Sequence, residues 1–589
     1  EGGRGGVRAW PWARQEMSLR RRVGKRAKGK EPKRPYQLVL FGANTPVGQQ
    51  VAKYIAQYIP EHLIDRWAVA DVDAIPLMRL HVMLEKFRYG LGKCGDGIGA
   101  LRIDDDRLGG RWARRWWWSS GSGSTVDREG ETDRMRRRED GEVLVDDSDP
   151  YEELVKKRQC TLDEMCAQTV LLLNCASGLA LCSAVVEACA RHDVDYLDLS
   201  MDDRCLSAVR ARYHEAALAK GLFIVQGCVY STVCLDAGLL LAVLAQETEA
   251  ELEGRAAHAR LAEVSCFCSS SDGPSLVING PAGRGMDGGL AMTRARPLLT
   301  RWHDVVGQWV VQCSSVEEQI LCWSWSSRCA SDVGARPPSH PSPSAVAGGE
   351  DGTEDAPVHV RWSVASESLV DSLWIYLSLL CVYYMAKVAL VRALLALWLQ
   401  DSTGDSSLSS AELYEAKVVC TFAEEDSERE KGNGVGAEEE GENDSEKEKE
   451  NECGRGKEDG KESEKLSDNV SVAPEEIVQS SGVGTVSDHG LEPGQDGGGA
   501  AAVQSVSTCA TMRSVASTST AVAAVACCLC LLHDRAALRL DGGWQTPTNA
   551  FGTLLIDRLE MAGVDIITGS TPPPPLQAPR HYLASGFHP

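Results

Sequence analysis

The sequence predicts an α/β protein whose N-terminal part is a Rossmann domain, a doubly wound parallel sheet of the kind that binds dinucleotides. Two observations predict this fold class. A short apolar run, Gln37–Phe41, leads into the glycine turn Gly42–Gly48 and then into apolar residues spaced three and four apart, as on one face of a helix. Further along, apolar runs of strand length alternate with helical patterns, which is typical of parallel sheets.

The function depends on this first strand–turn–helix unit. A helix that begins directly after a buried strand presents free backbone N–H groups and the positive end of its dipole to a pyrophosphate. The usual fingerprint has three glycines, for the tight turn, for the approach of the phosphate and for helix packing. Gly42 and Gly48 take the outer positions, but Thr45 stands at the middle one, where its side chain narrows the space for a phosphate. The turn therefore fits either a dinucleotide site or a unit that binds nothing.

The second predicted strand indicates which cofactor to expect. Trp67–Ala70 is an apolar run, and Asp71 and Asp73 follow it. An acidic residue about 20 positions beyond the glycines accepts hydrogen bonds from a ribose diol. The same carboxylate repels a 2′-phosphate, and Val72 offers no cation to bind one. If the domain binds a dinucleotide, we expect NAD rather than NADP.

Later segments continue the alternation of strands and helices. The predicted strands are Val170–Cys175, Tyr196–Ser200 and Leu222–Val225, and the predicted helices are Gly178–Arg191 and Cys205–Lys220. Ligands of such sheets bind at the carboxyl ends of the strands. Asn174 ends a buried strand and needs a partner, which a ribose or the nicotinamide amide would supply. Asp198, at the end of the next strand, would line the nicotinamide pocket or cap a turn.

Composition divides the chain into ordered parts and insertions. We assign residues 36–245 to the Rossmann domain and residues 246–422 and 500–570 to a second α/β domain, in which 500–532 is predicted to be helical. We expect disorder in the basic arm 1–35 and in the insertions 90–149 and 423–499, a loop insertion at 331–357 and a tail at 571–589. These stretches contain too few apolar residues to offset the entropy of ordering.

Charge and cysteine content bear on partners and compartment. The net charge of −23 reflects the acidic insertion, so it gives no reason to expect a nucleic-acid partner. The 21 cysteines are scattered through apolar runs, and no pair with zinc-ligand spacing has a matching second pair. We therefore expect no metal site, and reduced, buried thiols in an intracellular protein.

The segment Leu373–Leu399 is the most apolar part of the chain. It is long enough to cross a bilayer, which takes about 20 residues, but Lys387 near its centre would cost roughly 2.5–3.5 kcal/mol on insertion scales. A helix lying in the interface, with Lys387 and Arg392 at the headgroups, avoids most of this cost, and a buried core helix is the alternative. We expect monotopic attachment to a membrane or lipid surface, with both flanking regions on the cytosolic side.

The ordered blocks, in this order, resemble the saccharopine dehydrogenase-like oxidoreductases, a family similar to bacterial trans-acting enoyl reductases. The matching blocks are Arg34–Ala43, Val170–Cys175, Tyr196–Ser200, Tyr213–Ala217 and, most specifically, Gly542–Leu559. The chain departs from the family at functional positions. Thr45 stands where the family has its middle glycine, and Asp71 and Val72 stand where it has Gly-Arg.

The resemblance implies an NAD(P)-dependent oxidoreductase at a lipid droplet, mitochondrion or other organelle membrane, acting on a small-molecule or lipid-like substrate in lipid or glycolipid metabolism. The cofactor-binding residues are predicted to be Gly42, Ala43, Asn44, Thr45, Gly48, Asp71 and Asn174, with no catalytic residue identified and a homodimer left open. The changes at Thr45 and Val72 favour an alternative, a catalytically inactive Rossmann-fold scaffold on such membranes without a cofactor. His214 and Glu215 are expected to pack structurally.

Overall fold

The computed structural model describes fourteen stretches of the chain: 34–90, 98–103, 159–176, 179–253, 260–270, 296–313, 315–332, 358–385, 387, 413–423, 505–515, 518–538, 540 and 542–569. The strands, in chain order, are β1 (Tyr36–Phe41), β2 (Trp67–Asp71), β3 (Gly99–Ile103), β4 (Gln159–Cys160), β5 (Thr169–Asn174), β6 (Asp195–Asp198), β7 (Phe223–Gln226), β8 (Arg260–Ser270), β9 (Arg301–His303), β10 (Gln308–Gln312), β11 (His359–Ser366), β12 (Leu413–Ala423), β13 (Ser505–Val515), β14 (Gly543–Gln545) and β15 (Asp565–Gly569). The helices are α1 (Pro46–Tyr58), α2 (Ala74–Gly90), α3 (Leu162–Ala167), α4 (Leu179–Arg191), α5 (Asp203–Lys220), α6 (Tyr230–Glu253), α7 (Val316–Asp332), α8 (Leu369–Met385), α9 (Ser519–His533), α10 (Pro547–Phe551) and α11 (Thr553–Met561).

The first sheet consists of eight strands, all parallel, in the order β14-β7-β6-β5-β1-β2-β3-β4. Its central strands β3-β2-β1-β5-β6-β7 follow the strand order of the doubly wound dinucleotide-binding fold. β1 lies at the centre, where Leu38 is in register with Trp67 of β2 and with Leu171 of β5. The predicted Rossmann fold class is therefore confirmed.

Helices cover both faces of this sheet, which explains why its central strand is apolar throughout. Leu38, Val39 and Leu40 have no exposed surface, although successive side chains of a strand point to opposite faces. One of the covering helices, α9, comes from the far end of the chain. It is buried from Ser519 to Leu531 and packs against α1. The C-terminal region thus completes the core of the N-terminal sheet.

The second sheet has seven strands in the order β15-β13-β12-β8-β11-β10-β9, and only the β8–β11 pair is parallel. The long helix α6 leaves the first sheet after β7 and lies against β12 and β13. It is also the one described helix whose length and composition would suffice to cross a bilayer, over Tyr230–Leu252, and 67% of its most apolar window is buried. Packing between the two sheets accounts for its apolar character.

Several boundaries differ from those expected. The segment 90–149, predicted to be disordered, includes β3, whose residues Leu101 and Ile103 are buried in the first sheet. Ser505–Val515, predicted to be helical, is a strand that pairs with β12 along its whole length. β14, assigned to the second domain, belongs to the first sheet, where Trp544 is in register with Ile224. The C-terminal part of the chain therefore contributes to both sheets.

Smaller differences concern the ends of the predicted insertions. Arg34, placed in the disordered arm, donates hydrogen bonds to the carbonyl oxygens of Thr169 (2.7 Å) and His192 (2.7 Å). Helix α7 continues to Asp332, and Ala423 is the last residue of β12. The remaining residues of the predicted arm, insertions and tail, and residues 388–399 of the hydrophobic segment, lie outside the described residues.

We predict that Gly238→Ala lowers the free energy of unfolding by about 1–2 kcal/mol, because excess volume between packed elements is destabilising. A Cβ at Gly238, on the face of α6 that meets β12, would lie 2.8 Å from Val418 Cγ2. Gly90→Ala, at a helical position with no atom within 4 Å of the added Cβ, is the control and should not lower stability. Urea unfolding of the unaltered chain and both variants measures these free energies. If Gly238→Ala were as stable as Gly90→Ala, the prediction would be contradicted.

Candidate dinucleotide-binding site

The turn between β1 and α1 has the tight geometry that the sequence indicates. Gly42 has φ of +76°, and a Cβ there would lie 2.5 Å from the Ala176 nitrogen, so only glycine fits beside the chain that follows β5. Gly48 lies against the backbone of Gly42 and Ala43, which also leaves no room for a Cβ. Both glycines are therefore required by packing within the protein, whether or not a ligand binds.

Thr45 lies at the centre of this turn and makes contacts on both sides of the crevice between β1 and β5. It is the N-cap of α1, and its hydroxyl oxygen accepts a hydrogen bond from the Gly48 N–H (3.0 Å). The same hydroxyl can donate its one proton to the Gly42 carbonyl oxygen, at 2.8 Å, or to that of Cys175, at 3.3 Å. The side chain thus occupies the position where a phosphate would meet the helix N-terminus.

Most backbone N–H groups of the turn already have acceptors within the chain. The N–H groups of Gly42 and Ala43 both donate to the Ala70 carbonyl, and the Asn44 N–H donates to the Asp71 carboxylate. The Thr45 N–H donates to the Gly42 carbonyl. The Gly48 N–H donates to the Thr45 hydroxyl, and the Gln49 N–H donates to the Thr45 carbonyl. Pro46 has no N–H. Within the described part of the chain, Val47 carries the one N–H between Gly42 and Gln49 that has no acceptor. The pyrophosphate end of the site is therefore poorly supplied with donors.

The ribose end of the site has acceptors to offer. Asp71, at the carboxyl end of β2, accepts hydrogen bonds from the N–H groups of Val72 (2.7 Å) on one oxygen and Asn44 (2.9 Å) on the other. The Asn44 side chain donates to the Asp73 carbonyl (3.1 Å), whereas its own Oδ1 is buried and has no donor among the residues that the structure describes. A ribose diol supplies the kind of donor that Oδ1 and the Asp71 carboxylate require. At this end, the residues fit an adenosine ribose.

Burial raises the pKa of Asp71 to about 6, although its hydrogen bonds from backbone N–H groups act in the opposite direction. The carboxylate is charged at pH 7 and therefore disfavours a phosphate on the ribose. No cation stands at position 72 to offset that charge, because the residue is Val72.

Asn174 lies at the end of β5, next to β1, but its amide faces into the protein. Its Nδ2 donates to the Tyr196 hydroxyl (2.9 Å), to Asp198 Oδ1 (3.3 Å) and to the Ala176 carbonyl (3.1 Å), while its Oδ1 accepts the Ala176 N–H. The residue has no exposed surface. The expected partner of this polar strand end is thus supplied by β6 rather than by a ligand, and its role toward a nicotinamide stays a prediction.

Asp198 is the centre of a buried hydrogen-bond network along the carboxyl ends of β5, β6 and β7. Besides Asn174, its donors are the Ser200 N–H (2.8 Å), the Tyr196 hydroxyl (3.0 Å) and Gln226 Nε2 (3.0 Å). Burial raises the pKa of this carboxyl to about 6, against the effect of these bonds. The network fixes the ends of three neighbouring strands relative to one another.

The C-terminal block Gly542–Leu559 extends the network to the edge of the sheet. Trp544 on β14 donates from its indole N–H to Gln226 Oε1 (2.7 Å) and from its backbone N–H to His214 Nδ1 (3.1 Å). The Arg210 guanidinium lies over the Trp544 ring, 5.2 Å from its centroid. His214 is thus a packing residue, as expected, and the block joins β14 to α5 and β7.

The same block also connects the sheet to α6 and α7. Asp236 of α6, which has no exposed surface, accepts a hydrogen bond from the Thr548 N–H (2.8 Å) in the first turn of α10. Arg328 of α7 donates to the Thr548 hydroxyl (2.8 Å), and Asn549 Nδ2 to the Ser324 carbonyl (3.2 Å). The most specific sequence block therefore serves a structural purpose, the joining of helices across the two sheets.

Two further carboxylates lie on the first turn of α7. Glu317 accepts hydrogen bonds from the hydroxyls of Ser231 (2.9 Å) and Ser315, and Ser231 stands at the start of α6, just beyond the carboxyl end of β7. Glu318 accepts the Trp362 N–H (2.9 Å), and burial raises its pKa to about 7. A half-buried carboxyl with this pKa is suited to proton transfer near neutral pH.

The thiols are dispersed through the core. In the described residues one group of metal-ligating atoms converges, Cys182, Asp198 and Cys205, all within 4.8 Å of one another. The Asp198 carboxylate already accepts four hydrogen bonds, and a hydrogen bond with Cys205, together with burial, raises the pKa of the Cys182 thiol well above its ordinary value. The protonated thiol and the saturated carboxylate fit a packed hydrogen-bonding cluster better than a metal site.

Comparison with known proteins finds partial similarities. No protein-family profile matches the chain. The chain is 25% identical over 247 residues to the saccharopine dehydrogenase-like oxidoreductase of Bos taurus (41% of this chain, 42% of that protein) and 23% identical over 208 residues to that of Rattus norvegicus (35% and 37%). The chain is similar to the saccharopine dehydrogenase-like oxidoreductases over these stretches. The matches span less than half of each relative's length. The resemblance noted from the sequence is thereby confirmed.

The chain has two further similarities. A protein of Arabidopsis thaliana named "probable mitochondrial saccharopine dehydrogenase-like oxidoreductase" is 36% identical over 81 residues, which cover 14% of this chain and 18% of that protein. Among solved structures, apo saccharopine dehydrogenase (L-Glu forming) of Saccharomyces cerevisiae aligns with 91% of this chain and 100% of that chain, at 11% identity and a TM-score of 0.37. That TM-score is too low to support an argument about fold or function.

We predict that Asp198→Asn removes part of the pH dependence of stability. The pKa of the folded carboxyl, about 6, lies above its ordinary value of about 3.9, so the proton is bound more tightly in the folded state. Below pH 4, Asp198 therefore contributes up to about 3 kcal/mol to the free energy of unfolding. This contribution is lost as the pH rises to about 6.

The test is urea unfolding of both proteins between pH 4 and pH 7. The variant should be less stable at low pH, because its amide N–H₂ meets donors in the network, but its stability should fall less over this range. Asp71 contributes the same pH dependence of stability to both proteins, so its contribution cancels in the comparison. Equal slopes would contradict the assignment.

Proposed function

We propose that this chain binds a nicotinamide dinucleotide in the crevice at the carboxyl ends of β1, β2 and β5 and acts as an oxidoreductase. The observation that carries the proposal is the position of the Gly42–Gly48 turn and Asp71 at the point where the strand order of a doubly wound sheet reverses, the place where such folds bind ligands. The relationship to proteins named saccharopine dehydrogenase-like oxidoreductases supports it.

NAD is the favoured cofactor. Asp71 and Asn44 would accept the adenosine ribose hydroxyls, and the negative charge of Asp71 would disfavour a 2′-phosphate. The nicotinamide supplies or accepts a hydride when it is bound.

A lipid surface is the second part of the proposal. Helix α8 has one charged residue, Asp371, and presents a stripe of exposed apolar side chains at helical spacing: Val370 (74% exposed), Trp374 (64%), Leu377 (54%) and Tyr384 (54%). On its other side Ile375 is buried against the sheet. An exposed stripe with Trp and Tyr suits a helix that lies in the membrane interface.

The sheet topology favours attachment from one side. The strand that precedes α8, β11, and the strand that follows it, β12, both pair with β8. Because one strand lies between them in the same sheet, both flanks of the hydrophobic segment are on the same side of any membrane. We propose monotopic attachment to a lipid droplet or organelle surface, with a lipid-like substrate taken from that surface.

A second candidate function is a catalytically inactive scaffold on such a surface. One observation favours it, the use of the turn's N–H groups within the chain, above all that of the Gly48 N–H by Thr45. A site that satisfies its own donors gains less from a phosphate.

We predict that the full chain binds NADH about tenfold or more tightly than NADPH, because a 2′-phosphate would approach the Asp71 carboxylate. Asp71→Asn should reduce this preference. Asp65→Asn, at an exposed position before the amino end of β2, is the control and should leave it unchanged. Calorimetry with each nucleotide measures both affinities. If neither nucleotide binds at millimolar concentration, the inactive scaffold is the one candidate function that remains.

We predict that the chain floats with phosphatidylcholine–phosphatidylserine vesicles on a density gradient. Replacing Trp374 and Leu377 by Glu should lower binding by about tenfold or more, because two exposed apolar side chains would no longer enter the lipid. Tyr89→Glu replaces an 85% exposed aromatic residue on α2 and is the control. Equal flotation of the variants would contradict the proposal, as would protection from protease of an epitope at Pro589 but not of one at the N-terminus.

A further inference from the structure

The ribose end and the pyrophosphate end of the candidate site differ in how far their polar groups are hydrogen-bonded within the chain. At the ribose end, Asn44 Oδ1 is buried without a donor among the described residues, and Asp71 Oδ2 accepts the Asn44 N–H. At the pyrophosphate end, the Thr45 hydroxyl bridges the crevice between the carbonyl oxygens of Gly42 and Cys175 and takes the Gly48 N–H. The ribose end therefore has an acceptor that a ligand's hydroxyl could pair, whereas the groups around Thr45 at the pyrophosphate end are already paired within the chain.

From this contrast we propose that Thr45 closes the pyrophosphate half of the crevice and that the adenosine half provides nearly all of the binding. The inference rests on the proposed nucleotide-binding function and specifies the part of the ligand that is recognised. The ligand class is a nucleoside with a free ribose diol, to which a diphosphate adds little. Thr45 then determines specificity, by withholding the helix N-terminus from phosphate.

The contacts indicate what a phosphate would have to displace. To reach the Gly48 N–H it must break the 3.0 Å cap to Thr45, a bond that stabilises the start of α1. Apart from the Gly48 N–H, the turn offers it the Val47 N–H, the one that has no acceptor among the described residues. The loss of the cap therefore offsets much of the gain from the new contact.

Removal of the Thr45 side chain should reverse this balance. In Thr45→Gly the hydroxyl and the Cβ are both gone, so the Gly48 N–H is free and the crevice is wider. A charge-assisted hydrogen bond to phosphate should then strengthen dinucleotide binding by about tenfold. Glycine is an accepted N-cap residue, so α1 should persist. Thr45→Ser keeps the hydroxyl and is the matched control.

The experiment is calorimetry of the full chain and both variants with two probes, adenosine and NADH, together with thermal unfolding to confirm that each variant is folded. In the unaltered chain the dissociation constants of the two probes should agree within about threefold. In Thr45→Gly the constant for NADH should fall by about tenfold while that for adenosine stays the same. Thr45→Ser should behave as the unaltered chain does.

The outcomes separate this inference from the function on which it rests. If the unaltered chain binds NADH more than tenfold tighter than adenosine, or if Thr45→Gly leaves NADH binding unchanged, the inference is overturned while nucleotide binding stands. If neither probe binds to any of the three proteins, both are overturned. Should Thr45→Gly unfold, the comparison of the two probes on the unaltered chain and on Thr45→Ser still decides it.

Discussion

A buried backbone N–H needs an acceptor, and most N–H groups of the turn after β1 find their acceptors within the chain. Asp71 takes the Asn44 N–H, and the Thr45 hydroxyl takes that of Gly48. The first bond holds the turn against β2, and the second caps the start of α1. Because these N–H groups are bonded within the chain, they are not available to a ligand. The bonds that stabilise the turn therefore also determine which part of a nucleotide it can bind.

The carboxyl edge beyond this turn is held by a second group of bonds, centred on Asp198. The donors from β5, β6 and β7 converge on one buried carboxylate, and Trp544 extends the chain of bonds to the edge strand β14. A buried carboxylate is costly unless its hydrogen bonds are complete. Here they are complete, which is why a polar network can lie inside an apolar core and keep the strand ends fixed beside the crevice.

The sequence was sufficient for the strands β1, β2, β5, β6 and β7 of the first sheet because their features are local. The apolar run of β1, the turn and the helix period lie within about 25 residues, and strand order follows from alternation. Asn174 needs a partner, as its place at a buried strand end predicts, and Tyr196 and Asp198 of β6 are its side-chain partners. Tyr196 and Asp198 alternate along β6 and therefore share a face, a pattern that could have indicated the network.

Other elements depend on contacts that no local pattern contains. Ser505–Val515 consists largely of small and β-branched residues, and what makes it a strand is pairing with β12 across a long insertion. Gln226 and Trp544 lie 318 positions apart, so their hydrogen bond could not be inferred from spacing. The orphan oxygen of Asn44 and the bridging hydroxyl of Thr45 are likewise visible only in three dimensions.

A crystal structure of the full chain with NADH tests the central claim most directly, because it locates the nucleotide relative to the turn. We predict electron density for an adenosine ribose within hydrogen-bond distance of Asp71 and Asn44 Oδ1, beside the Gly42–Gly48 turn. Density for the nucleotide elsewhere on the protein, or an empty crevice at saturating NADH, would contradict the account.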